Sequence, residues 1–209
     1  MNSILAELNS MCWSIQFDLE RAKDLMCKTD LNQTYEAVSQ YTKITYRTTL
    51  LEQAAICMNV PMVRLLLECG ADPNFVDPEH EAESVLWNLQ YPGRTQSESE
   101  IRLEVTKILL SNGASPRIKE DGEELISYVL FFVFHGRYDE DWEYRSRFLI
   151  LLIAYGGTSE GYSYEIMDLF NRDEIEKYYF RLEFDVIQKR TVGCIYDSRN
   201  YKSVLIRQI

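Results

Sequence analysis

The chain has 209 residues, 33 of them acidic and 22 basic, for a net charge of −11, and 46% are hydrophobic. That balance argues against direct binding to nucleic acid, whose phosphates are neutralised by lysine and arginine. No apolar run reaches the about 18 residues of a membrane-spanning helix, and MNSILAELNS at the start lacks a basic region and an apolar core, so a cytoplasmic protein without membrane contact is expected.

Ile4, Leu8, Cys12 and Trp13 lie at helical spacing. The stretch 18–32, DLERAKDLMCKTDLN, reads as a second helix and its closing turn. From 49 onward the pattern sharpens. Thr49 and Glu52 form an S/T-x-x-E capping box that can satisfy two free amides at a helix start. A second apolar run begins near Met62 and includes Leu65, Leu66 and Leu67. Gly70 stops it, because glycine accepts the left-handed conformation that ends many helices. Pro73 lacks an N–H and keeps the helix from resuming.

The same stop recurs at 108–117, ILLSNGASPR, and at 151–160, LLIAYGGTSE. Gly70, Gly113 and Gly156 are spaced by 43 residues, and a fixed period of tens of residues marks stacked repeats. A second copy starts at Ser84-Val85-Leu86-Trp87 and resumes at 104–113, after YPGRTQSESE at 91–100. A third runs from near Glu124 to Gly156 around GRYDEDWEYRS at 136–146. Both interruptions read as inserted loops. YEIMDLF (164–170) and DEIEKYYF (173–180) read as a last short helix pair. TVGCIYD and YKSVLIRQI flank the turn signal SRN, so 191–208 reads as a β-hairpin, with RLEFDV (181–186) as a possible extension. A hairpin alone is marginal, so it is expected to pack on the last helices.

TLLEQAAICMNVPMVRLLLECGADPN (49–74) resembles an ankyrin repeat along its whole length. Thr49, Leu51, Ala54 and Ala55 fall on the motif's inner helix, Val63, Leu65, Leu66 and Leu67 on its outer helix, and Gly70-Ala71-Asp72 closes the unit. Leu50, Glu52 and Met58 stand where the motif has Pro, His and Gly. Family units run to about 33 residues, so the longer period here reflects one insertion per copy. The resemblance implies an all-α fold: a helix-turn-helix solenoid of about three central repeats with degenerate caps and a C-terminal β-hairpin. Its expected boundaries are 1–48 for the N-terminal cap, 49–160 for the repeats, 161–180 for the C-terminal helical cap and 181–209 for the hairpin extension.

Chemistry finds little footing. The five cysteines, Cys12, Cys27, Cys57, Cys69 and Cys194, are scattered without CxxC spacing and read as buried thiols in a reducing compartment. His80 and His135 have no partner at metal-ligand spacing, and no phosphate loop, dinucleotide fingerprint or nucleophile elbow occurs. No catalysis, no metal and no cofactor are expected. An enzyme built on a Cys–His or paired-carboxylate site is the weakest alternative.

What remains is a binding surface. Repeats that touch only their neighbours leave a long face free. The resemblance places fingers at 74–81 and 117–124, with Phe75, Asp77, Glu79, His80, Lys119, Glu120 and Asp121 as contact candidates. It places Ile56, Trp87, Tyr91, Tyr128 and Phe131 on the palm of inner helices. The second insertion adds Tyr138, Asp139, Glu140, Asp141 and Trp142, aromatics among acids that suit a basic protein, although Trp142 and Tyr144 can equally fold back on the last repeat. Residues 72–104 and 119–143 each carry eight acids against two bases. The expected function is therefore protein–protein interaction by a monomer with a basic partner. A more specific alternative is an immunity-type inhibitor that covers the basic active face of a toxic enzyme.

Overall fold

Side-chain caps at Asp18, Thr49, Asn59, Ser84 and Thr95 fix where five helices begin. The computed structural model describes residues 3–38, 43, 45–77, 84–120, 123–135, 141–157, 194–197 and 202–205. They fall in two units, Met1–Ser115 and Pro116–Ile209.

The first unit opens with α1 (Ser3–Cys12) and α2 (Leu19–Met26). Leu5, Leu8 and Cys12 of α1 and Ala22, Leu25 and Met26 of α2 are buried. Then comes a two-stranded ribbon the sequence reading did not anticipate. Strands β1 (Tyr35–Val38) and β2 (Thr45–Thr48) pair antiparallel, Tyr35 opposite Thr48 and Val38 opposite Thr45. Tyr35 and Ala37 turn inward. The Tyr35 hydroxyl donates to Asn9 Oδ1 at 2.8 Å, and burial pushes its pKa up.

Helices α3 (Leu50–Ile56) and α4 (Val60–Glu68) form the central pair. Every residue of α3 from Leu50 to Ala55 is buried, because α3 packs on α1 on one side and on the following helix α5 (Val85–Asn88) on the other. Ala54 and Ala55 carry so little side chain that neighbours can approach closely. The capping box forms: Thr49 Oγ1 accepts from Glu52 N at 3.1 Å, and Glu52 Oε2 accepts from Thr49 N at 3.4 Å.

The insertion at 91–100 differs from its expectation as a loop. Its second half is the first turn of α6 (Gln96–Ser111), a sixteen-residue helix packed on α4. Thr95 Oγ1 accepts from Glu98 N at 3.2 Å, while Glu98 Oε2 accepts from Arg94 N at 2.7 Å. The T-x-x-E pattern that marks residue 49 as a helix start is present here too. The inner helix α5 is only four residues long.

In the second unit, β3 (Lys119–Glu120) and β4 (Glu123–Glu124) pair antiparallel just before α7 (Leu125–His135), which packs on α8 (Trp142–Ala154). The end of the 136–146 insertion is thus helix as well. Strands β5 (Cys194–Asp197) and β6 (Lys202–Leu205) pair antiparallel. The expected helix pair at 164–180 and the strand extension at 181–186 lie outside the described residues. The described chain is mostly helical, and the β1–β2 and β3–β4 ribbons are additions to the expected all-α fold with a C-terminal hairpin.

The period read from the glycines is physical. Gly70, Gly113 and Gly156 have φ of +96°, +93° and +87°. At each, the glycine amide bonds one carbonyl and the next amide bonds another: Gly70 to Leu67 and Ala71 to Leu66, Gly113 to Leu110 and Ala114 to Leu109, Gly156 to Ile153 and Gly157 to Leu152. This is the Schellman closure. A side-chain ladder repeats with it. Asn32 Oδ1 accepts from Asp72 N at 2.7 Å, and 42 residues on, Asn74 Oδ1 accepts from Ser115 N at 2.6 Å and its Nδ2 donates to Gly113 O at 2.9 Å. In the second unit Arg117 Nε, 43 residues after Asn74, donates to Gly156 O at 3.1 Å.

Candidate interaction surface

Several residues expected to meet a partner are already engaged within the chain. The Asp77 carboxylate accepts from Thr34 Oγ1 and lies 3.5 Å from Arg47 Nη2, and its side chain is only 12% exposed. Thr34 Oγ1 in turn accepts from Arg47 Nη2 at 2.6 Å. Asp77 therefore ties the 74–77 turn to the base of the β1–β2 ribbon. Phe75 is half-buried. Glu79 and His80 lie outside the described residues.

Trp87 is buried, as are Val85 and Leu86 beside it, so the short α5 turns its large residues into the core. Tyr91, just past that helix, is 46% exposed, and its carbonyl accepts from Arg102 Nη1 at 3.3 Å. Of the palm residues, Ile56 and Tyr128 are half-buried, while Phe131 is half in water. Tyr128 and Phe131 sit against Phe132 with ring centroids 4.9 and 5.4 Å apart, and the Arg145 guanidinium lies 4.5 Å over the Phe132 ring. Phe132 is not among the residues expected on the palm. The aromatic-rich LFFVF run in α7 was the available signal, but nothing local marked Arg145 as its cover.

At the second finger, Lys119 Nζ pairs with Glu124 Oε1 at 3.0 Å, directly across the β3–β4 ribbon. Glu120 stands opposite Glu123 in the same register, and Asp121 lies outside the described residues. In the second insertion, Tyr138, Asp139 and Glu140 also lie outside them. Asp141 is half-buried and lies 3.4 Å from Arg145. Trp142 is half-buried, its Nε1 donating to Val133 O at 3.0 Å. Tyr144 is buried and stacked on Phe148 at 6.1 Å. Both rings fold back onto their own helix pair.

The thiols divide. Cys12 is buried, and burial pushes its pKa well up. Cys57 is partly buried and also raised, chiefly by burial. Cys27 and Cys69 are exposed, against the expectation of buried thiols, because each is the residue after the last turn of an outer helix. Among the described residues, no group of three His, Cys, Asp or Glu is placed to hold a metal ion, and no helix is long and apolar enough to cross a membrane.

No curated protein matches the chain. The family model for the ankyrin repeat matches residues 46–78, which span most of β2, all of α3 and α4, the Gly70 closure and the turn through Asp77. Ankyrin repeats are generally non-catalytic modules of protein–protein interaction, and residues 46–78 of this chain are similar to one.

Proposed function

We propose that the chain is a non-catalytic module that holds a basic protein partner, acting as a monomer built on a short solenoid of about three ankyrin-type repeats. The ankyrin repeat at 46–78 carries this reading. The Schellman closures and the Asn74 ladder support further repeat units beside it. Tyr91 in the first unit and Phe131 in the second are each an exposed aromatic among the residues expected to meet a partner, and exposed aromatic rings are common energetic anchors. Phe75, Tyr128 and the acidic turn residues complete the contact set. Asp77, Trp87 and Trp142 act on the surface from behind, by holding its elements in place. The chain's −11 charge favours a basic partner, with association that weakens as salt rises.

The test is an affinity pull-down from native lysate at low and high salt, comparing the native chain with a Tyr91→Ala/Phe131→Ala double variant. A basic protein retained by the native chain at low salt and lost by the variant is the expected result. Equal retention by both chains would remove the palm from the reading. Selective retention of an acidic protein would remove the charge argument.

A further inference from the structure

The loop between α1 and α2, together with the first residue of α2, holds three large apolar side chains in water. Trp13 is 41% exposed, Ile15 80% and Leu19 48%. Single exposed hydrophobics are ordinary on a protein surface, but three within seven consecutive residues are a concentration. The loop is also held in place. Asn59 is buried at the corner of α3 and α4, and its Nδ2 donates to Met11 O at 3.0 Å, Cys12 O at 3.2 Å and Ser14 O at 2.8 Å. The Ser14 hydroxyl donates to Gln16 O. A loop fixed in this way loses little further freedom on binding.

Charge selects among possible occupants. Asp18, the N-cap of α2, and Glu20 in its first turn are exposed. Asp18 caps α2 by accepting from Arg21 N at 3.0 Å, and Glu20 has Lys23 at 3.8 Å. A net charge of −11 opposes a second copy of the chain and an anionic lipid surface alike, and it attracts a basic partner. We propose that this loop docks a basic amphipathic segment of a partner protein, its apolar side on Trp13, Ile15 and Leu19 and its lysines or arginines beside Asp18 and Glu20. The residues named here are not those of the contact set around Tyr91, so either proposal can fail alone.

The probe is a synthetic leucine–lysine amphipathic helix titrated into the full chain, with tryptophan emission as the readout. Binding is expected to shift the emission to the blue and to weaken at high salt. Trp13→Phe is expected to remove the shift, because Trp87 is buried and Trp142 is half-buried. Ile15→Asp is expected to weaken affinity by about tenfold while leaving the urea midpoint unchanged, since that side chain lies in water. Tyr91→Ala is expected to leave peptide binding as it is. The proposal is overturned by an Ile15→Asp chain that binds the peptide as tightly as the native one, or by a leucine–glutamate helix that binds equally well. It is also overturned by light scattering that shows a dimer which Ile15→Asp dissociates, making a second copy the occupant.

Discussion

Asn88 Nδ2 donates a 2.8 Å hydrogen bond to Glu52 Oε1, joining α5 to α3 through a buried carboxylate. The other oxygen of that carboxylate accepts from Thr48 Oγ1 at 2.9 Å and from Thr49 N. Glu52 stands where the ankyrin motif has His, and it takes over both a capping role and a link between neighbouring helix pairs. Its removal would leave the buried hydroxyl of Thr48 and the amide of Asn88 without this acceptor. Glu52→Ala is expected to destabilise the chain by about 3 kcal/mol, more than Asn88→Ala alone. In a double-mutant cycle by urea unfolding, the pair should couple by about 1 kcal/mol. Additive single effects would mean that the link contributes nothing.

Met58 carries a local conflict. Its φ is +56°, and it closes α3 as the glycines close the outer helices: Met58 N bonds Ala55 O, and Asn59 N bonds Ala54 O, each at 3.0 Å. A residue with a Cβ is strained there, and the family motif has glycine. Met58→Gly is expected to stabilise the chain by about 1 kcal/mol, read as a higher urea midpoint at unchanged slope. A lower midpoint would show that the methionine side chain contributes more by packing than the backbone loses by strain.

The glycines separate two reasons for conservatism at a turn. A Cβ added at Gly70 or Gly113 meets nothing within 4 Å, so Gly→Ala there tests backbone strain alone and is expected to cost about 1 kcal/mol. At Gly93 an added Cβ would meet backbone atoms of Glu98 and Ser99 at 2.7 Å, where the Gly93 amide donates to Ser99 Oγ at 3.1 Å. Gly93→Ala is expected to cost more than either, since the loop must leave the start of α6. Equal losses at all three positions in thermal unfolding would contradict this order.

What the sequence made legible was local. Glycine's freedom at positive φ and the capping box at Thr49 act within a few residues, so Gly70, Gly113, Gly156 and Glu52 could be placed from their neighbours alone. Strands of four residues, YEAV and TYRT, are too short for alternation to stand out, and the ribbon they form went unread. The contact candidates failed to separate for a different reason. Asp77 looks like any surface acid until Thr34, 43 residues earlier, and Arg47 are brought to it. Trp87 faces inward because α5 is a single short turn, and Trp142 is drawn back by Val133 O. Each outcome depends on a tertiary neighbour that periodicity does not encode.

The thiols give a prediction with a pH sign. Alkylation proceeds through the thiolate, so a raised pKa slows it at a given pH. Burial, then the charges of Cys27 and Glu68, push the Cys69 thiol up, while Lys23 pulls it down. In the native chain at neutral pH, iodoacetamide should label exposed Cys27 and Cys69 well ahead of Cys57, with Cys12 unlabelled. Cys69 labelling should rise steeply as pH increases, because its thiolate fraction starts low. Glu68→Gln removes a negative charge facing Cys69, so it should speed Cys69 labelling at fixed pH. Peptide mapping by mass spectrometry resolves each site. Early labelling of Cys12, whose Sγ faces Leu50 O at 3.8 Å inside the α1–α3 contact, would mean that this contact opens readily in the folded state.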